Sequence, residues 1–152
     1  MEYELAYKFI NLGVLPAWLL LWFLPKSRVT EVIVHSGFYP LLFGTVYTIF
    51  LVRGIFFGAA AEGAGMSDAA SVAAFFSHPN GVLVGWVHYL VFDLFVGAWI
   101  GRDAERHGFA WYIRIPSQLF TFVFGPVGLL IYMIIRKLKG VGLALNENQA
   151  SA

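Results

Sequence analysis

Residues Trp86 to Arg106 read WVHYLVFDLFVGAWIGRDAER. The run is oily enough to cross a bilayer, yet it keeps His88 and Asp93 inside it and closes on a dense charge cluster. The rest of the 152-residue chain has the same character, being 59% hydrophobic and only 12% charged. A soluble domain carries roughly 25% charged residues. The composition therefore predicts an integral membrane protein.

A bilayer core about 30 Å thick needs roughly 20 apolar residues per helix. Four stretches meet that length: Leu5 to Leu24, Gly37 to Phe57, Gly81 to Gly101 and Ile115 to Ile135. Pro25, the glycines near Gly63, the Asn80-Gly81 pair and Pro116 punctuate them as breakers should. Between the second and third stretches, MSDAASVAAFFSHPNG reads as a short helix capped by Ser67, with Val72, Phe75 and Phe76 directed into the membrane interface. The expected fold is all-α: four transmembrane helices and one interfacial helix. They form a single domain over residues 1–140, followed by a polar tail over 141–152. The first stretch lacks a basic leader and a small-residue cleavage site, so it reads as a retained span. Basic residues divide almost evenly between the two sides, which leaves orientation open. An even number of spans puts both termini on one side.

The net charge of +1 points to no nucleic-acid partner. With no cysteine, disulfides, thiol catalysis and thiolate metal sites are excluded. The histidines, His35, His78, His88 and His107, are too scattered for the His-rich boxes of a membrane oxygenase, and His88 alone lies well inside a span. No phosphate loop, dinucleotide fingerprint or nucleophile elbow is present. The expected chemistry is acid–base work on an apolar substrate, with no metal and no cofactor.

Asp93 falls near mid-membrane. An ionised carboxylate there costs about 2.5–3.5 kcal/mol on insertion scales, so it must face the bundle, find a partner or stay protonated. His88 is five residues earlier, about 140° around the helix. The two cannot easily bond each other, but they can line two edges of one cavity. Asn11 of span one and Arg53 of span two lie on the His88 side, although Arg53 also reads as an interfacial snorkel. Tyr39, Phe43 and Tyr47 form an aromatic stripe on span two, and Trp86 and Tyr89 share a face of span three. Gln118, Thr121 and Gly125 form a small, polar stripe on span four, where Pro126 in FGPVG should kink the helix. The run GAWIG places Gly97 and Gly101 in a G-x-x-x-G that permits close helix contact, within one chain or in a homodimer. Plainer readings stand beside these. A buried histidine is more often structural, Asp93 can serve a helix–helix hydrogen bond, and the cluster Arg102, Asp103, Glu105, Arg106, His107 is most often a solvated cap.

The WVHYLVFDLFVGAWIGRDAE core and the FGPVGLLIY run resemble the neoxanthin-synthesis membrane family, named for the abscisic-acid-deficient-four protein of plants. LPAWLLLWFLPK and PLLFGTVYTIFLV fit it as well, so the likeness runs from about Leu5 to Arg136. The resemblance implies carotenoid chemistry: conversion of the epoxide violaxanthin into the allene neoxanthin, or a related rearrangement. The family's motif positions here are Trp86, His88, Asp93, Leu94, Phe95, Asp103, Gly125, Pro126 and Gly128. The short chain has no plastid-targeting extension, which suggests a bacterial inner-membrane protein. Such a reaction needs an acid for the epoxide oxygen and a base for a vinylic proton. Asp93 is the expected acid and His88 the base or orienter, with these two roles exchangeable. Asp103 and Gln118 would position a polar ring end. Trp86, Tyr89, Tyr39, Phe43, Tyr47, Asn11, Arg53, Gln118 and Thr121 would line the slot for an isoprenoid or carotenoid. Two other classes stay open: a non-catalytic carrier of carotenoid, quinone or lipid that can also support a partner enzyme, and a proton pathway through Asp93.

Overall fold

The computed structural model describes residues 2–145; the tail residues 146–152 lie outside the described residues. The described residues form helices and no strand: α1 (Glu2–Phe23), α2 (Arg28–Ile33), α3 (Phe38–Phe56), α4 (Ala69–Ser77), α5 (Pro79–Arg106), α6 (Trp111–Phe124) and α7 (Pro126–Leu138). Three segments are long and apolar enough to cross a membrane: Glu2–Phe23, Arg28–Phe56 and Pro79–Arg106. Their outer faces carry large apolar side chains, among them Leu5, Phe9, Leu12 and Phe23 on α1. Only 11% of the second segment's apolar window is buried within the chain. Apolar faces that extensive are solvated by lipid, not by water. This is a membrane protein.

The chain divides into two compact units. The first comprises Met1–Leu15 and Gly37–Val91, the second Pro16–Ser36 and Phe92–Ala152. In the first, α3 packs on the N-terminal part of α1, where the buried Tyr39 donates its hydroxyl to the carbonyl of Gly13 at 3.1 Å. The start of α4 is capped by Asp68, not by the expected Ser67. The Asp68 carboxylate accepts the Ser71 N–H at 2.8 Å, and the Ser71 hydroxyl accepts the Asp68 N–H at 3.1 Å, a reciprocal capping box. Helix α5 begins at Pro79, whose missing N–H is no loss in a first turn. It therefore starts two residues ahead of the expected span.

In the second unit, α2 is launched by Ser27, whose hydroxyl accepts from the Thr30 N–H at 3.1 Å. The stretch expected as a fourth span behaves differently from a kinked helix. It is two helices of 14 and 13 residues that double back on each other. At a 1.5 Å rise per residue each is about 20 Å long, short of a bilayer core. The register is antiparallel: Gly128 lies against Ser117 and Thr121, and Ile113 packs against the cluster around Tyr132. Three residues make the reversal. Gly125 has φ +53 and ψ −102, in a region that residues with a Cβ rarely adopt. Pro126 is preset for a first helical turn and cannot extend the preceding helix. Gly128 then passes so close that a Cβ would overlap the Thr121 nitrogen and the Ser117 carbonyl. The Gly97 to Gly101 face is filled from within the same chain: the Trp18 ring occupies the space where a Gly97 Cβ would sit.

Gly128→Ala should lower stability in detergent by about 1–3 kcal/mol, because the clash is with backbone. Gly44→Ala on α3, with nothing within 4 Å, should be neutral or stabilising by thermal unfolding. The Ser71 backbone N–H, and after it the Ser67 and Ser71 hydroxyls, hold Asp68 below the usual carboxylate range. A depressed folded-state value means the cap's contribution is present above the unfolded value and is lost as pH falls through the folded one. Amide exchange at Ser71 should therefore accelerate only in acid, below the ordinary carboxylate range.

Candidate functional site

In the second unit, α5 supplies two buried carboxylates. Asp93 is 8% exposed and Asp103 is 1% exposed. Between them the inner face of α5 is built for close approach. Gly97 takes the Trp18 ring, whose edge meets Phe122 with ring centres 5.3 Å apart. The Gly97 carbonyl accepts the side-chain N–H of Gln118 at 2.9 Å. Gln118 in turn accepts from Arg114 at 3.2 Å, and Arg114 also donates to the carbonyl of Leu21, which fastens α6 to the end of α1. Thr121, one turn further on, is buried and donates to the Ser117 carbonyl at 2.9 Å.

Asp103 is not part of a solvated cap. The Tyr132 hydroxyl donates to it at 2.7 Å. Arg136 approaches the same oxygen at 2.9 Å through its Nε, and Arg106 donates to the other oxygen at 3.2 Å. His107 lies 3.5 Å from the carboxylate and donates its Nδ1 proton to the Asp103 carbonyl at 2.8 Å. Tyr132 and Arg136 are themselves buried, at 0% and 2% exposure. The Arg136 guanidinium also lies over the Trp99 ring, 5.7 Å from its centre, and donates to the Ala144 carbonyl at 3.0 Å. Each partner sits three, four or about thirty residues away, on α5, just past its end, or on the returning arm α7. Asp103 thereby ties α7 to the end of α5.

The first unit holds the other expected residues. The Trp86 indole donates to the Asn11 side-chain carbonyl at 3.1 Å, and its ring stacks on Tyr89 and lies against Tyr7, both with centres 5.6 Å apart. Tyr39 stacks on the buried Phe43 at 5.7 Å. His88 is on the exposed side of α5, with its ring 5.9 Å from that of Tyr47. Arg53 pairs with Glu2 at 2.8 Å and lies over the Tyr3 and Phe50 rings. Tyr132, Arg136 and Trp18 were not singled out by their sequence. The four-residue spacing of Tyr132 and Arg136 on one helical face was the available signal.

A family described as ABA DEFICIENT 4-like (ABA4-like) matches residues 5–132. The chain belongs to the ABA4-like family. No curated protein and no solved structure matches it. The family and the apolar helices fit a membrane protein of carotenoid metabolism. The ABA4-like match takes in Asp93, Asp103 and Tyr132 but ends four residues before Arg136.

Removing one partner from a buried pair strands the others. Asp103→Leu should cost about 3–5 kcal/mol in detergent unfolding, since the buried Arg136 guanidinium and the half-buried Arg106 lose their counter-ion. Trp86→Phe should cost only about 1 kcal/mol, the worth of one hydrogen bond, in the same measurement.

Proposed function

We propose that this ABA4-like protein isomerises an apolar epoxide of the carotenoid or isoprenoid class, with Asp93 as its acid. The observation that carries the reading is a carboxyl buried at 8% exposure in the middle of a membrane-spanning helix. A carboxylic acid in an apolar, water-poor site can be kept neutral and so can donate a proton. The reaction is balanced within the substrate. Protonation of the epoxide oxygen breaks its bond to the neighbouring carbon, and loss of a proton from the adjacent vinylic carbon leaves an allene beside a new hydroxyl. No oxidant or reductant enters. The second transfer needs a base, and the Asp93 carboxylate left by the first transfer can take that proton.

The membrane arrangement belongs to the same reading. The segments 2–23, 28–56 and 79–106 cross the bilayer, α4 lies in the interface, and α6 with α7 enters and leaves from one side as a re-entrant hairpin. Support for the hairpin comes from the length of its arms and their antiparallel register. An alternative is a non-catalytic carrier of the same lipids, favoured by a mostly apolar cavity of about 390 Å³ in the first unit.

The two readings part on Asp93→Asn. The protein is reconstituted with an epoxy-carotenoid, product is followed by chromatography and bound pigment by absorbance. A catalyst keeps its pigment and loses turnover by about 10²–10⁴-fold, the worth of a general acid. Unchanged turnover in Asp93→Asn would sink the assignment, and pigment binding with no product in the wild type would establish the carrier.

A further inference from the structure

Apart from Lys8 and Arg53, every lysine and arginine of the chain belongs to the second unit. Beyond Asp93 in mid-helix, the acids of that unit among the described residues are Glu31, Asp103 and Glu105. Each is already engaged. Arg28 pairs with Glu31 at 3.1 Å, Lys26 with Glu105 at 2.8 Å, and Asp103 serves both Arg106 and Arg136. Arg114 is left over. Its half-buried guanidinium donates to the carbonyls of Leu21 and Trp22 and to the Gln118 side-chain oxygen, and all of these acceptors are neutral. A cation partly withdrawn from water without a counter-ion carries a desolvation cost that an anion would offset.

A cavity of about 340 Å³ lies beside it, wholly within the second unit, between the turn after α1, the end of α5 and the start of α6. Lys26, Arg114 and Glu105 are its charged lining, so the walls carry a net positive charge. Helix α6 opens at its edge on Ala110 with no side-chain cap, and the first-turn N–H groups add the positive end of a helix dipole. The rim is apolar. Trp111 lines the cavity while 68% exposed, and Phe23 and Leu24 stand exposed just before the Pro25 wall. An indole beside cations at the end of a span is the usual furniture of a membrane–water interface. At about 30 Å³ for each water-sized unit, 340 Å³ holds roughly 11 non-hydrogen atoms, the size of a phosphodiester with a small alcohol. Glu105 disfavours a multiply charged occupant and can accept from a hydroxyl of such an alcohol.

We infer that this cavity holds the headgroup of an anionic phospholipid, its phosphate taken between Arg114 and Lys26 and its acyl chains running out past Trp111. A guanidinium suits a phosphate because its N–H groups are fixed in a fork. The apolar rim selects the lipid, since acyl chains cover Phe23 and Leu24 where a soluble phosphate ester would not. The inference depends neither on Asp93 nor on an isoprenoid substrate. Delipidated protein in detergent is titrated with dioleoylphosphatidylglycerol or dioleoylphosphatidylcholine, which share their chains, and bound lipid is counted by native mass spectrometry. The wild type should favour phosphatidylglycerol by at least about tenfold, the worth of one hydrogen bond to a charged group.

Lys26→Glu reverses the net charge of the lining and should erase that preference, as should Arg114→Gln. Because Arg114 also fastens α6 to the end of α1, its variant can fail to fold; Lys26, an exposed side chain, then decides alone. Lys137→Glu makes the same change of charge on an exposed residue outside the cavity and should leave the preference intact. Equal binding of the two lipids by the wild type overturns the inference, and so does a preference that survives Lys26→Glu or a folded Arg114→Gln. An equal loss in Lys137→Glu reduces the effect to diffuse attraction between charges and overturns it as well. Glycerol 3-phosphate is the last arm: displacement of phosphatidylglycerol by an equal concentration of it makes the ligand a soluble phosphate ester and sinks the lipid assignment.

Discussion

The carboxylate of Asp103 is the contact on which the second unit depends. It draws a tyrosine hydroxyl and an arginine from α7, and a further arginine from its own helix, onto one buried group. Desolvating such a set is costly, and replacing it by matched apolar side chains often costs nothing. Its value here is positional. Two arms of about 20 Å joined by a single glycine could swing through many angles. Only the correct angle brings Tyr132 and Arg136 together onto Asp103. The apolar packing of Ile100, Ala104 and Tyr132 then closes around that geometry, with Trp99 and Phe109 at its edge. Charge sets the register, and burial makes it firm.

Much of the architecture could be read from the sequence because lipid simplifies the code. Long apolar runs must be helices, since no other open structure satisfies its backbone in hydrocarbon. Spans one and two therefore match α1 and α3 to within a few residues, and the third differs chiefly because α5 continues to Arg106. The same simplicity hid the hairpin. Residues 115–135 are as apolar in two short arms as they would be in one long helix, and hydropathy cannot see a reversal. The Gly-Pro-x-Gly spelling at Gly125 announced a break but not its angle, which is fixed by the missing Cβ of Gly128.

Side-chain partners were less legible, for a reason of distance along the chain. Asp103 with its charged neighbours looks like any helix end exposed to water. Its burial is decided by Tyr132 and Arg136, about thirty residues later, whose approach requires the reversal first. Asn80 poses the same problem. Beside Gly81 it reads as a turn signal, whereas its side chain bridges thirty residues back to the carbonyl of Phe50. By contrast the pairing of Trp86 with Asn11 follows a face that helical spacing already marked.

The hairpin also bears on where chemistry can occur. Gln118 binds the carbonyl of Gly97, and α6 runs antiparallel to this part of α5. Seven further residues carry α6 about 10 Å onward to Gly125, whereas Asp93 lies only one turn, about 6 Å, from Gly97. The break in the helix is thus reached at or beyond the depth of Asp93. Pro126 offers no N–H to the turn before it, so a backbone carbonyl there has lost its helical partner. Irregular backbone at membrane depth is tolerated where protein buries it or where it lines a cavity, and Gly125 is buried. Asp103, some 15 Å away along α5, is too distant to share a proton with Asp93. One carboxylate therefore holds the hairpin in position, and the other lies about level with the break between its two arms.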